Sequence, residues 1–330
     1  MKTTLSKSIL LGLAVGDALG VPFEFRGRGN LERHPVTGMA GYGTHNQPPG
    51  TWSDDSSLSF CLAESLCGGY DIQDIARLFL KWYNEAYWAA RGEVFDVGIA
   101  TREAILRIKS GEPPTSAGLN GEFDNGNGSL MRILPLLPFI LKKGDHEIVK
   151  IVTEVSSVTH RHPRCILACL ILLLVAERLC EYSILEAIRG MQVRLRDILR
   201  MHPKLLTQKQ HFDRIIPGNS QPKNTDNFHI PLKDASPQSI RSSGYVVDTL
   251  EASLWCLLHS SSYKEAVLKA VNLGEDADTT ACVTGGLAGI LYGHQNIPQE
   301  WLNILARKAD IEKLAEMLEA KYPNECVKKI

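Results

Sequence analysis

An all-α fold is predicted by three features of the 330-residue chain. Apolar residues recur at helical spacing, strand signatures are sparse, and nothing alternates strand with helix as a parallel sheet would. The helical spacing is plainest through Ile72-Ile75-Leu78-Phe79-Trp82, Val97-Ile99-Ala100-Ala104-Ile105-Ile108, Ile148-Ile151-Val152-Val155 and Ala266-Val267-Ala270-Val271. Only Ile133-Leu134 and Val246-Val247 read as β-like, and both are short. With 44% hydrophobic and 22% charged residues, the chain has the composition of a globular protein with a substantial core.

The chain opens with Met1-Lys2 and an apolar run from Ile9 to Val15. It imitates a signal peptide, but Asp17 interrupts it before any cleavage site, so it reads as mature structure. Gly12, Gly16 and Gly20 fall four apart, on one side of a helix, where they let a neighbouring backbone approach. Cys165 to Ala176 is the longest apolar stretch. It is shorter than the roughly 20 residues of a membrane-spanning helix and reads as a buried core helix. From 202 to 243 the chain is rich in Pro, Asn, Gln, Ser and Lys without periodicity, which marks an irregular loop insertion.

Eight cysteines lie mostly within apolar runs and form no C-x-x-C pair, so reduced core thiols are expected rather than a zinc site. The formal net charge of -1 offers no broad attraction to polyanions. No nucleic-acid or membrane partner is expected, and the chain reads as a cytoplasmic monomer.

Two acidic clusters carry the chemistry. Thr51-Trp52-Ser53-Asp54-Asp55-Ser56 follows the Pro48-Pro49-Gly50 turn and opens an apolar series, so it starts a helix. Ser and Asp there cap helices and complement the helix dipole, and for this motif alone capping is as good an account as metal binding. The second cluster, Glu275-Asp276-Ala277-Asp278-Thr279, also precedes a helix and puts three carboxylates in four residues. Capping uses one or two, and no Lys or Arg lies between Lys269 and Arg307 to neutralise the rest. A hard cation supplies the missing charge, because carboxylate and hydroxyl oxygens without His or Cys suit Mg²⁺, Mn²⁺ or Ca²⁺. Two such clusters can hold a metal pair that activates water, which points to hydrolysis. Since the clusters flank most of the chain, 1–330 reads as one domain folded back on itself.

Further blocks then become familiar: Gly16-Asp17-Ala18-Leu19-Gly20 with Pro22-Phe23-Glu24, Asn125-Gly126-Asn127-Gly128-Ser129-Leu130-Met131-Arg132, Thr159-His160-Arg161-His162-Pro163 and Ser243-Gly244-Tyr245-Val246-Val247-Asp248. Together with the acidic clusters, and in this order from residue 9 to about 293, they resemble the ADP-ribosylglycohydrolase family. The resemblance implies a compact orthogonal multi-helix bundle with a metal cleft, two Mg²⁺ or Mn²⁺ ions, and cleavage at C1″ of an ADP-ribose conjugate. Ser53, Asp54, Asp55, Asp276, Asp278 and Thr279 match its metal ligands, with Asp54 or Asp55 the candidate base. Glu24 matches an acidic residue near the metals, a candidate for metal contact, lid or base.

Asn125, Gly126, Asn127, Gly128 and Ser129 form a Gly-rich turn which, leading into a helix, would present backbone N–H groups to a pyrophosphate. Arg132 would neutralise phosphate or pair with a carboxylate. His160 matches a substrate-contacting position, and Ser243, Gly244 and Tyr245 match a substrate-lining loop in which Tyr245 either stacks on a ring or packs in the core. Ser53 stands where many relatives carry Thr, and both offer a hydroxyl oxygen. Glu275 either tunes metal affinity or faces solvent.

The implied substrate is an ADP-ribosylated protein or small ADP-ribose conjugate, with arginine as the first choice of acceptor. Serine-linked ADP-ribose and O-acetyl-ADP-ribose stand behind it. The rival readings are pyrophosphate cleavage and a catalytically silent ADP-ribose-binding protein, although all six ligand positions are filled.

Overall fold

The computed structural model describes residues 4–217 and 229–324. Sixteen α-helices lie within them. They are α1 (Leu5–Gly20), α2 (Arg28–Arg33), α3 (Asp54–Gly68), α4 (Ile72–Glu85), α5 (Ile99–Lys109), α6 (Pro114–Ala117), α7 (Leu137–Ile140) and α8 (Asp145–Ser157), followed by α9 (Pro163–Leu179), α10 (Ile184–Met201), α11 (Pro203–Leu206), α12 (Val246–Leu258), α13 (Tyr263–Val271), α14 (Ala277–Tyr292), α15 (Gln299–Ile304) and α16 (Lys308–Lys321). The fold is all-α, as expected.

No strand forms among the described residues; isolated bridges join Leu119 to His160 and Gly126 to Tyr245. The two β-like pairs are therefore corrected. Val246 is the first residue of α12, and Leu134 belongs to a 3-10 turn, Leu134–Leu136. Both segments are buried on all sides, so their apolar runs reflect depth rather than a pleat.

Helix ends follow local chemistry. The Asp71 side chain accepts from the Gln73 N–H to start α4, and Ser183 with Glu186 forms a full capping box on α10. Alpha-9 begins at Pro163, where the missing N–H is no loss, and its stretch from Cys165 to Ala176 is buried throughout.

The central feature is the antiparallel packing of α1 on α14. A Cβ at Gly12 would lie 2.4 Å from the Gly285 carbonyl oxygen, at Gly16 2.0 Å from that of Ala281, and at Gly20 2.3 Å from the Asp278 Cα. The four-residue glycine spacing is thus a backbone-contact stripe, and it brings α14 alongside α1 at its metal-motif end. Among the described residues the α1 region is also the one helix long and apolar enough to cross a membrane, and 94% of that window is buried inside the protein.

Within the 202–243 insertion, residues 218–228 lie outside the described ones, and the rest carries more regular structure than its composition suggests. Besides α11 it holds 3-10 turns at Lys209–Phe212, Pro231–Asp234 and Pro237–Ser239, and Phe212, Ile215, Leu232 and Ile240 are buried. Each fills one core position, so no periodicity announces it. Six cysteines, Cys61, Cys67, Cys165, Cys169, Cys256 and Cys282, are free as expected. Cys180 departs from that expectation and is disulfide-bonded; it lies past the end of α9 rather than inside its apolar run. Cys326 lies outside the described residues.

Candidate active site

The two acidic motifs meet across 224 residues of sequence. At the start of α3, Ser53 is the N-cap, its hydroxyl accepting from the Asp55 N–H at 3.2 Å. The other exposed donors of this helix end are served from α1. Both oxygens of the buried Asp17 carboxylate accept from the Ser53 N–H (2.9 and 3.1 Å), and its Oδ2 also accepts from the Ser56 N–H (3.0 Å) and hydroxyl (2.5 Å). Capping is therefore done by Ser53 and Asp17, which leaves the Asp54 and Asp55 carboxylates spare. Asp55 Oδ1 accepts from the Thr279 hydroxyl at 3.3 Å, joining this helix end to that of α14, and Asp55 Oδ2 has no partner among the described residues.

At α14, Gly274 and Glu275 both adopt positive φ (75° and 57°), a turn that swings the chain into the helix. Asp276 occupies the N-cap position without making a side-chain cap. Its Oδ2 accepts instead from the Asn127 amide at 2.8 Å, and its Oδ1 is unpartnered among the described residues. Asp278 Oδ1 accepts from the Thr279 N–H at 2.9 Å, and its Oδ2 is likewise buried without a partner among them. Glu275 faces solvent. Its backbone exchanges hydrogen bonds with Phe25 and Arg26, which ties the segment bearing Glu24 to this turn.

Glu24, Asp54, Asp55, Asp96, Asp276 and Thr279 help to line a cleft of about 470 Å³, and among the described residues no Lys or Arg side chain lines it. Carboxylate oxygens of Glu24, Asp276 and Asp278 lie within 4.8 Å of one another; so do ligand atoms of Glu24, His45 and Asp96, and of Asp17, Asp55 and Cys282. Burial pushes the Asp54, Asp55 and Asp278 carboxyls well above the ordinary range, and the neighbouring carboxylates add to it. Glu24 is pushed up to about 7, burial outweighing its contact with the His45 imidazole. Such a group is costly without a counter-charge. The all-oxygen donor set and the orphaned atoms Asp55 Oδ2, Asp276 Oδ1 and Asp278 Oδ2 fit a hard divalent cation.

Gly126, Asn127, Gly128, His160 and Gly244 line the same cleft, with Asn127 and Gly244 directly beside Asp276. The Gly-rich turn does not lead into a long helix as expected. It pairs with residues 244–246 instead, the Asn127 N–H donating to the Gly244 carbonyl (3.1 Å) and the Val246 N–H to that of Asn125 (2.9 Å). A distant segment consumes backbone groups that the sequence left free.

Several expected contact residues sit behind this lining. Ser129 is buried and bonded to Ser156, Asn125 is buried, and the Ser243 hydroxyl donates to Asp248 at 2.7 Å. Tyr245 faces Arg164 and lines a neighbouring cavity with His211 and Arg214. Arg132 is fully buried and away from the cleft. Its guanidinium lies 4.7 Å from the Phe79 ring centroid and donates to the Val155 carbonyl (3.1 Å) and the Thr159 hydroxyl (2.8 Å). As a phosphate contact it is corrected: the apolar residues around it in sequence carry it into the core.

Sequence reasoning assigned no site role to Asp17, His45 or Asp96. Asp17 had a signal, since an acid inside an apolar helix that is not at its end needs buried partners. His45 and Asp96 lie in irregular stretches that carry none.

The chain matches the family model for ADP-ribosylglycohydrolases over residues 5–327. It is 34% identical over 324 residues to an ADP-ribosylarginine hydrolase of Pseudomonas putida (strain GB-1), covering 97% of this chain and 79% of that one. It is 32% identical over 306 residues to the ADP-ribosyl-[dinitrogen reductase] glycohydrolase of Rhodospirillum rubrum, covering 92% and 90%. Among solved structures, an ADP-ribosylglycohydrolase-related protein complex superposes with a TM-score of 0.72 at 30% identity, over 97% of this chain and 98% of that one.

Proposed function

The chain belongs to the ADP-ribosylglycohydrolase family and is an ADP-ribosyl glycohydrolase; from that premise we propose that it cleaves the C1″–N bond between ADP-ribose and an arginine side chain, reversing mono-ADP-ribosylation of a protein. The arginine acceptor is supported by the hydrolases at 33–34% identity, named for ADP-ribosylarginine.

The observation that carries the reading is the joining of the two acidic helix ends through Thr279 and Asp55, with three buried carboxylate oxygens left unpartnered, those of Asp55 and Asp276 on residues lining a cleft that no Lys or Arg lines among the described residues. Ser53, Asp54, Asp55, Asp276, Asp278 and Thr279 would hold two Mg²⁺ or Mn²⁺ ions, with the buried Glu24 carboxylate beside Asp276 and Asp278 as a further contact. Bound there, the ions would supply Lewis-acid polarisation and a lowered water pKa.

The residues themselves do the rest. Asp54 and Asp55 line the cleft, and one of them orients a water and takes its proton as the water oxygen attacks C1″. As the C1″–N bond breaks, its electron pair goes to nitrogen, and a guanidinium-linked substrate releases a neutral guanidine. That strong base then takes a proton from solvent, so no dedicated acid is required. The Gly126–Gly128 turn, Asn127, His160 and Gly244 form the wall that faces the nucleotide portion.

The test is product identification on ADP-ribosylarginine, serine-linked ADP-ribose and O-acetyl-ADP-ribose, each with Mg²⁺, Mn²⁺ or chelator. Free ADP-ribose from the arginine conjugate, abolished by chelator, is the expected result. Release of AMP would mean pyrophosphate cleavage. No turnover on any of the three would leave only a binding protein.

A further inference from the structure

Arg132, withdrawn from the cleft, still reaches it through a chain of hydrogen bonds. Arginine has donors only, so at 2.8 Å its Nη2 donates to the Thr159 oxygen. On its other side, Thr159 Oγ1 lies 2.9 Å from His160 Nδ1. The hydroxyl has one hydrogen, and among the described residues its only other side-chain hydrogen bond is the one it accepts from Arg132. Were the His160 proton on Nδ1, the hydroxyl would accept from both neighbours and its own hydrogen would be buried without an acceptor. We propose that Arg132 and Thr159 are positioning residues that fix His160 as the Nε2–H tautomer, making its imidazole a permanent hydrogen-bond donor to the ligand in the cleft.

The surroundings agree. The Ser156 hydroxyl lies 2.9 Å from the His160 carbonyl oxygen, and the His160 N–H donates to the Ser156 carbonyl at 2.8 Å, so the backbone is held on both sides. The ring presses on the Gly-rich turn. A Cβ at Gly128 would lie 2.6 Å from His160 Cε1, and one at Gly126 3.3 Å from Nε2, so both positions leave room for the ring edge. Nε2 makes no hydrogen bond among the described residues, and His160 lines the cleft. Burial, reinforced by the Arg132 charge, pushes the His160 pKa down to about 3, which keeps the ring neutral. A cationic imidazole would be drawn towards the carboxylates of the cleft, whereas a neutral ring with a fixed N–H addresses only an acceptor atom, such as a phosphate or ribose oxygen. The identity of that ligand rests on the function proposed above; the tautomer does not.

Long-range ¹⁵N NMR of histidine-labelled, chelator-treated protein reads the tautomer directly, with His160 assigned by its loss in His160→Gln. The expected result is protonated Nε2 and bare Nδ1, unchanged between about pH 5 and 8. Thr159→Val keeps the shape and removes the hydroxyl. It should populate both tautomers, weaken ADP-ribose binding about three- to tenfold, and raise KM more than it lowers kcat. Thr159→Ser should restore all three, and Arg132→Met should loosen the tautomer by a second route. A proton on Nδ1 in the wild type, or a single Nε2–H tautomer retained in Thr159→Val, overturns the proposal. Failure of the wild type to bind ADP-ribose would count against the nucleotide reading and leave the tautomer result standing.

Discussion

The starts of α3 and α14 carry similar sequences, a hydroxyl residue beside two aspartates, yet they are held in different ways. At α3 the backbone donors are served by Ser53 and by a carboxylate borrowed from α1, so Asp54 and Asp55 are released from capping. At α14 one aspartate leans on a side-chain amide, Asn127, and the other caps locally onto the Thr279 N–H. Each end nevertheless finishes with at least one buried carboxylate oxygen that nothing among the described residues satisfies. The difference teaches that a capping motif and a cation site are not alternatives. A helix end becomes a cation site when something else does the capping, and that something is supplied by the fold.

The strongest way to break the comparison is to remove one carboxylate from each end. Asp55→Ala and Asp278→Ala should each lower metal-dependent hydrolysis by about a thousandfold or more, with circular dichroism unchanged. If either variant kept wild-type turnover, the two ends would not serve one centre. Gly16→Ala comes next, because its Cβ would sit 2.0 Å from the Ala281 carbonyl oxygen and must push α14 away from α1. A loss of about 3 kcal/mol by urea denaturation is expected, together with weakened Mn²⁺ binding.

Asp17→Asn acts on the α3 end alone. It turns one acceptor oxygen into a donor facing N–H and hydroxyl donors, at a cost of about 2 kcal/mol. Mn²⁺ titration should then show weaker binding while the Asn127–Asp276 contact is kept. The smallest effect is expected from Glu275→Gln, an acid within the second motif whose side chain faces solvent. Stability should change by no more than about 0.5 kcal/mol and Mn²⁺ affinity hardly at all. A large effect there would place Glu275 in the centre after all.

Helices and their ends were legible because both are local. Ile75, Phe79 and Trp82 at helical spacing do form the buried face of α4, and the glycines at 12, 16 and 20 do pack backbone on backbone. The acidic motifs were legible as helix starts with a surplus of charge. The burial of Arg132 was not, because a charged residue after a Gly-rich turn reads as a ligand contact until its surroundings are known. Nor was the pairing of that turn with residues 244–246, which takes up the Asn127 N–H and the Asn125 carbonyl.

Composition and spacing along the chain therefore settled the all-α class, the helix starts and the excess of carboxylates, since each depends on neighbours within a few residues. Tertiary structure settled which carboxylates cap and which stay unpaired, that Glu24, His45 and Asp96 converge, and that Arg132 turns inward to His160. Those outcomes depend on hydrogen-bond partners and desolvation supplied from tens to hundreds of residues away, beyond the reach of any local pattern.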